Sequence, residues 1–167
     1  MSPEIERVVF GNAPGNAKYI SPTIQKELLN ILGHRVRRKI REEVGDSKYC
    51  ILVDEALDTS HKEHMAIILR FVDSEGLIRE RFFKIVSVPD TTSQTLKNEI
   101  SKVLTMYDLQ VRNMRGQGYD GTSNMRGIYN GLQALFLEEC PYAYYVHCYA
   151  HRLQLTLNAT AQGVQEI

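Results

Sequence analysis

The chain has 167 residues, enough for one domain with a packed core and short for two. Its composition, 43 % apolar and 24 % charged, is that of an ordinary globular protein and excludes general disorder. Twenty basic and 20 acidic side chains give zero net charge, so nothing in the bulk charge demands a nucleic-acid partner.

Residues 1–20 hold Gly11, Asn12, Pro14, Gly15 and Asn16 and little periodic apolar content, and read as a flexible lead-in to a domain over residues 21–167. Ser21-Pro22 has the form of an N-cap followed by proline at the first helical position. Ile24, Leu28, Ile31 or Leu32, Val36, Ile40 and Val44 then recur at helical spacing, which predicts one long helix to about Glu43, with Gly33 a candidate bend and Gly45-Asp46 the stop. Within it, His34 to Arg41 carries five basic side chains in eight residues. Such runs usually form a solvated helix face; the sharper reading makes Arg35, Arg37, Arg38 and Lys39 phosphate contacts.

Tyr49 to Asp54 is a short, nearly all-apolar run ending in a charge, the pattern of a central strand buried on both faces. Met65–Phe71 and Arg79–Val88 are the second and third strands, joined by the turn residues Asp73-Ser74-Glu75-Gly76. A helix follows Pro89-Asp90-Thr91-Thr92, with Leu96, Ile100, Val103, Leu104 and Tyr107 on one stripe. Residues 114–120 form a weaker fourth strand, because two glycines lower strand propensity. A helix from about Ser123 to Glu139 is expected to turn Ile128, Leu132, Leu135 and Phe136 inward before Pro141. Ala143–His147 is the last strand and Tyr149 to about Thr160 the last helix.

The order α-βββ-α-β-α-β-α implies an antiparallel meander of three strands and a helical crossover to a fourth strand lying parallel beside the first. The carboxyl ends of those two strands then meet, and such ends are where α/β sheets place their sites. Asp54 ends one and Asp120 ends the other, 66 residues later. An aspartate at a strand end is often only a turn or cap residue. Two neighbouring carboxylates that stay ionised instead call for a cation between them, and Mg²⁺ held this way suits phosphoryl transfer.

The stretches ILVDEALDTSHKEHMAIILRFVDSEG, GQGYDGTSNMRGIYNGLQ and YYVHCYAHRLQL resemble, in order and spacing, the hAT transposase superfamily, and most of all the branch found in zinc finger MYM-type and general transcription factor-like proteins. The similarity covers roughly residues 21–160, and the combination of Asp-Gly-Thr-Ser-Asn-Met with a later His-Cys-x-x-His carries it. It implies a ribonuclease H-like α/β fold, a mixed five-stranded sheet (antiparallel β1-β2-β3, then parallel β4 and β5) flanked by helices and incomplete at the C-terminus. It also implies an Asp-Asp-Glu triad binding Mg²⁺ or Mn²⁺, with Asp54 and Asp120 matching the two aspartates. The glutamate of the family follows a helical insertion that this chain does not reach, and Glu138 and Glu139 do not replace it, so the chain by itself is expected to be inactive.

Cys148 and His151 match the family's Cys and His and are expected to support the site or approach DNA; a structural zinc would need four ligands, and no second pair is nearby. Asn124 is a candidate helix cap or hydrogen-bond partner of Asp120, and Gly118 and Gly121 would allow close backbone approach. His61 and His64 read as a solvated pair, and Glu55 and Asp58 as loop residues, Asp58 with a possible place behind the metal ligands. Met125 and Tyr129 read as packing residues. Three cysteines, an odd number, imply no disulfide framework and a reducing compartment. Without a signal-like start or an apolar run near 18 residues, no membrane association is expected, and the nucleus fits.

Three functions are compatible with these features. The first is part of a transposase whose intact parent cuts DNA at transposon ends and joins them to a target, with a homodimer formed through regions outside this chain. The second is a host-adopted, non-catalytic DNA- or protein-binding regulator. The third, a hydrolase of RNA–DNA hybrids, is disfavoured by the His-Cys-x-x-His element.

Overall fold

A computed structural model describes residues 11, 12, 15, 18 and 20–163, so most of the expected lead-in lies outside the described residues. The chain divides into two compact units, residues 1–36 and 37–167. Helix α1 (Pro22–Val44) runs unbroken through Gly33. In the first unit the Ser21 hydroxyl accepts the Ile24 amide at 3.3 Å, the expected cap. In the second, Ile40 and Val44 are buried, and Gly45 ends the helix at φ 54°, a left-handed conformation that glycine adopts without steric cost.

The second unit is built on a five-stranded sheet of order β3-β2-β1-β4-β5. Strands β1 (Tyr49–Leu57), β2 (Glu63–Val72) and β3 (Ile78–Val88) form the expected antiparallel meander. The β2–β3 turn is fixed by the Asp73 carboxylate, which accepts the amides of Glu75 and Leu77 at 2.9 Å each, with Gly76 at φ 80°. Helix α2 (Ser93–Met106), capped by Thr92, leads through a 3₁₀ turn to β4 (Met114–Tyr119), which pairs parallel with β1. Strand β5 (Tyr144–His147) adds in parallel to β4, and α5 (Tyr149–Gly163) follows. The mixed sheet flanked by helices agrees with the expected fold class.

One face of the sheet makes the core. Tyr49, Ile51 and Val53 of β1 and Met65, Ile67, Leu69 and Phe71 of β2 pack with Leu96, Ile100, Val103 and Leu104 of α2. Burial of β1 on both faces was expected; Cys50 and Leu52, on the other face, are only half-buried. The expected helix over 123–139 is two short ones, α3 (Ser123–Arg126) and α4 (Leu132–Glu139). Two glycines explain the break. The Gly131 amide bonds the Gly127 carbonyl at 3.0 Å, and a Cβ on Gly131 would overlap the Gly127 backbone. The interruption resets the helical phase, so Leu132 and Phe136 are buried as expected while Ile128 points outward.

Candidate functional site

The parallel β1–β4 ladder ends at the pair Leu52↔Gly118. Asp54 and Asp120 each lie two residues farther on, and side chains two apart in a strand share a face. Asp54 does not end its strand, as the sequence suggested; β1 continues to Leu57 because β2 still pairs with it, Asp54 opposite Ala66. Both aspartates line one cleft of about 280 Å³, floored by Leu52 and Gly118 and walled by Cys148, His151 and Gln154 at the start of α5. The geometry therefore gathers both aspartates with the Cys-x-x-His pair.

Asp120 is held from three directions. Its Oδ1 accepts the Thr122 hydroxyl at 2.6 Å and the Thr122 amide at 3.1 Å. Its carbonyl accepts the Tyr145 hydroxyl at 2.8 Å. The Cys148 amide donates to the carbonyl of the preceding Tyr119 at 2.7 Å, which fixes the start of α5 beside the end of β4. His147 and His151 lie with ring centroids 5.8 Å apart, and the His147 ring packs where a Cβ on Gly121 would stand 2.9 Å from its Cε1. Gly121 thus serves close approach, as expected. Gly118 would meet Leu52 at an ordinary 3.5 Å, and the tight position is Gly116, where a Cβ would come within 2.9 Å of the Cys50 sulfur. All three cysteines are free.

Several side chains take other places than the sequence suggested. Asn124 does not bond the Asp120 carboxylate. It donates to the Thr91 carbonyl at 2.9 Å and to Glu55 at 3.4 Å, tying α3 to α2 and β1, and Thr122 takes the role at Asp120 instead. Glu55 is not a loop residue but a half-buried strand residue facing away from Asp54 by alternation. Burial pushes its carboxyl above the usual range; the Asn124 hydrogen bond opposes this, and the charges of Asp120, Glu63 and Asp54 add to it. Asp58 is taken up in the β1–β2 turn, accepting the Lys62 amide, the Ser60 amide and the Ser60 hydroxyl. His64 is not simply solvated: it bridges Asp58 at 3.2 Å and Ser87 at 3.1 Å. His61 stands in the turn at φ 58°. Met125 is buried as expected, whereas Tyr129 is exposed.

The basic residues of α1 divide. Arg38 and Lys39 are exposed, Lys39 paired with Glu42, while Arg37 bonds the Tyr107 hydroxyl at 2.6 Å and lies over its ring. None of these three lines the aspartate cleft. Arg35 belongs to the N-terminal unit and is exposed. Among the described residues, no group of three His, Cys, Asp or Glu side chains is arranged to hold a metal ion. No described helix is long and apolar enough to cross a membrane.

Comparison with known proteins agrees with the fold. The human 52 kDa repressor of the inhibitor of the protein kinase is 27 % identical over 156 residues, covering 92 % of this chain and 20 % of that protein. The mouse protein of the same name is 27 % identical over 147 residues, 87 % of this chain and 19 % of its own length. The chain thus spans about one fifth of the curated relatives it matches. Residues 1–131 match the DUF4371 family, and the chain belongs to it: it carries the ZMYM1/FAM200 RNase-like domain.

Proposed function

We propose that the domain is the first part of an hAT-type, transposase-derived catalytic core, in which Asp54 and Asp120 hold Mg²⁺ or Mn²⁺ against a DNA phosphodiester. The observation that carries this is the placement of both aspartates two residues beyond the last β1–β4 pair, lining one cleft. The donor chemistry fits, since carboxylate oxygens suit hard divalent ions. A bound ion would supply an activated water and stabilise the leaving oxygen. The chain's own residues hold the frame: Thr122 and Tyr145 orient Asp120, Gly118 leaves the floor without a side chain, and Cys148 and His151 form the wall facing the scissile strand. Two carboxylates are an incomplete set for strand transfer, so on this reading the chain by itself is expected not to cut DNA. DNA as partner and the nucleus as location follow from the same reading.

The second reading, a host-adopted regulator without catalysis, is favoured by the relatives called repressors. Calorimetric titration with Mn²⁺ tests the first. The chain is expected to bind the ion, and Asp54→Asn and Asp120→Asn each to weaken binding at least tenfold. Binding unchanged in the double variant would sink the metal site. DNA binding without any metal binding would favour the regulator.

A further inference from the structure

Strand β5 is short, ends the sheet order and pairs with β4 alone, conditions under which register is weakly held. Its apolar pattern does not hold it either. Tyr145 packs against the core, with His147 on the same face by alternation, while the more apolar pair Tyr144 and Val146 is 65 % and 50 % exposed. A slip of one residue would exchange the two faces, and burial of apolar area alone would not oppose it. Buried polar groups do oppose it. Gln117 of β4 is 1 % exposed, and its amide is fully used. The nitrogen donates to the Ala143 carbonyl at 2.7 Å and to the Gln133 carbonyl of α4 at 3.1 Å, and the oxygen accepts the hydroxyl of buried Tyr119 at 2.9 Å. Ala143 directly precedes β5. A slip would carry its carbonyl off the amide and leave a buried donor without a partner, a cost that a solvated amide does not have.

We propose that Gln117 is a positioning residue for the aspartate cleft: its buried amide fixes the register of β5 on β4, and through it the places of Tyr145, Cys148 and His151 around Asp120. That register brings the Tyr145 hydroxyl to the Asp120 carbonyl at 2.8 Å and the Cys148 amide to the Tyr119 carbonyl at 2.7 Å. It also starts α5 where Cys148 and His151 wall the cleft. Gln117 itself does not line the cleft and acts on it through β5. That the placement serves a bound ion rests on the metal reading above; the register role does not.

The test pairs amide hydrogen exchange of the metal-free chain, followed by NMR, with calorimetric Mn²⁺ titration. Gln117→Met keeps a long unbranched side chain and removes its hydrogen bonds. It should speed exchange of the Cys148 amide about tenfold or more relative to amides of the β1–β2 ladder. It should also weaken Mn²⁺ binding about three- to tenfold, less than the roughly 10- to 100-fold loss typical when a metal ligand's own partner is removed. Leu104→Ala, a core variant near the C-terminal end of α2, should destabilise the fold with neither selective change. Should Gln117→Met not fold, Tyr119→Phe carries the test, since it removes only the hydroxyl that Gln117 accepts; the same selective pattern is expected at about threefold. Uniform acceleration across the sheet, or none in a folded variant, overturns the register role. Selective acceleration with Mn²⁺ affinity unchanged overturns the positioning of the cleft. If the wild-type chain binds no Mn²⁺, the metal reading falls, and selective acceleration still upholds the register role.

Discussion

Asp120 and Asp58 show how much one carboxylate's surroundings decide. Asp120 accepts the Thr122 hydroxyl at 2.6 Å, so Thr122→Val removes that bond while keeping the shape. The expected cost in stability is about 1 kcal/mol, read from urea unfolding, together with weaker Mn²⁺ binding because the carboxylate is freer to turn away. Asp58 is held well below the usual carboxylate range, chiefly by the Lys62 amide and then by the Ser60 hydroxyl. A group depressed in the folded state stabilises above its unfolded pKa, and that contribution is lost as pH falls through its folded value. Asp58→Asn should therefore lower the urea midpoint at pH 7 and change it much less near pH 2. Equal losses at both pH values would assign the effect to packing. The role of His64 between Asp58 and Ser87 was not legible in the sequence, since Ser87 lies 23 residues away and only the β2–β3 pairing brings it across.

At the scale of elements, hydrophobic period was a good guide wherever one element spans one phase. The α2 stripe of Leu96, Ile100, Val103 and Leu104 is buried as its spacing requires, and Leu96→Ala should cost about 2–5 kcal/mol as a cavity in the core. The same logic failed over 123–139, because a glycine that stops a helix by backbone contact leaves the apolar spacing around it unaltered. Gly131→Ala is the corresponding test: the added methyl meets backbone rather than a movable side chain, so a loss of about 1–3 kcal/mol is expected. A neutral result, measured by thermal melting, would mean that the loop shifts freely and is not braced. Asn124 was misplaced for a related reason. A residue at a helix start has several acceptors within reach, and the choice of Thr91 and Glu55 over Asp120 depends on how α2 and α3 pack.

For the whole molecule, the topology was readable because chain order leaves few solutions: a meander followed by a crossover returns β4 to the free side of β1, and this alone sets Asp54 and Asp120 on one face. The partners that hold the end of β4 at Asp120 were less readable, since Tyr145 and Cys148 arrive through β5, whose place depends on the parallel pairing with β4. The cleft exists only when β1, β4 and β5 are assembled, so the metal binding proposed for it would be linked to folding. An ion that binds the folded chain and not the unfolded one stabilises it by RT ln(1 + [L]/Kd), about 1.4 kcal/mol at ten times Kd. Asp120→Asn keeps a side-chain oxygen to accept the Thr122 amide and hydroxyl, so without metal it should melt close to wild type. With Mn²⁺ at ten times the Kd from calorimetry, wild type should gain several degrees and Asp120→Asn close to none. If both gain equally, the ion binds elsewhere on the fold, and the aspartate pair serves the sheet rather than a metal.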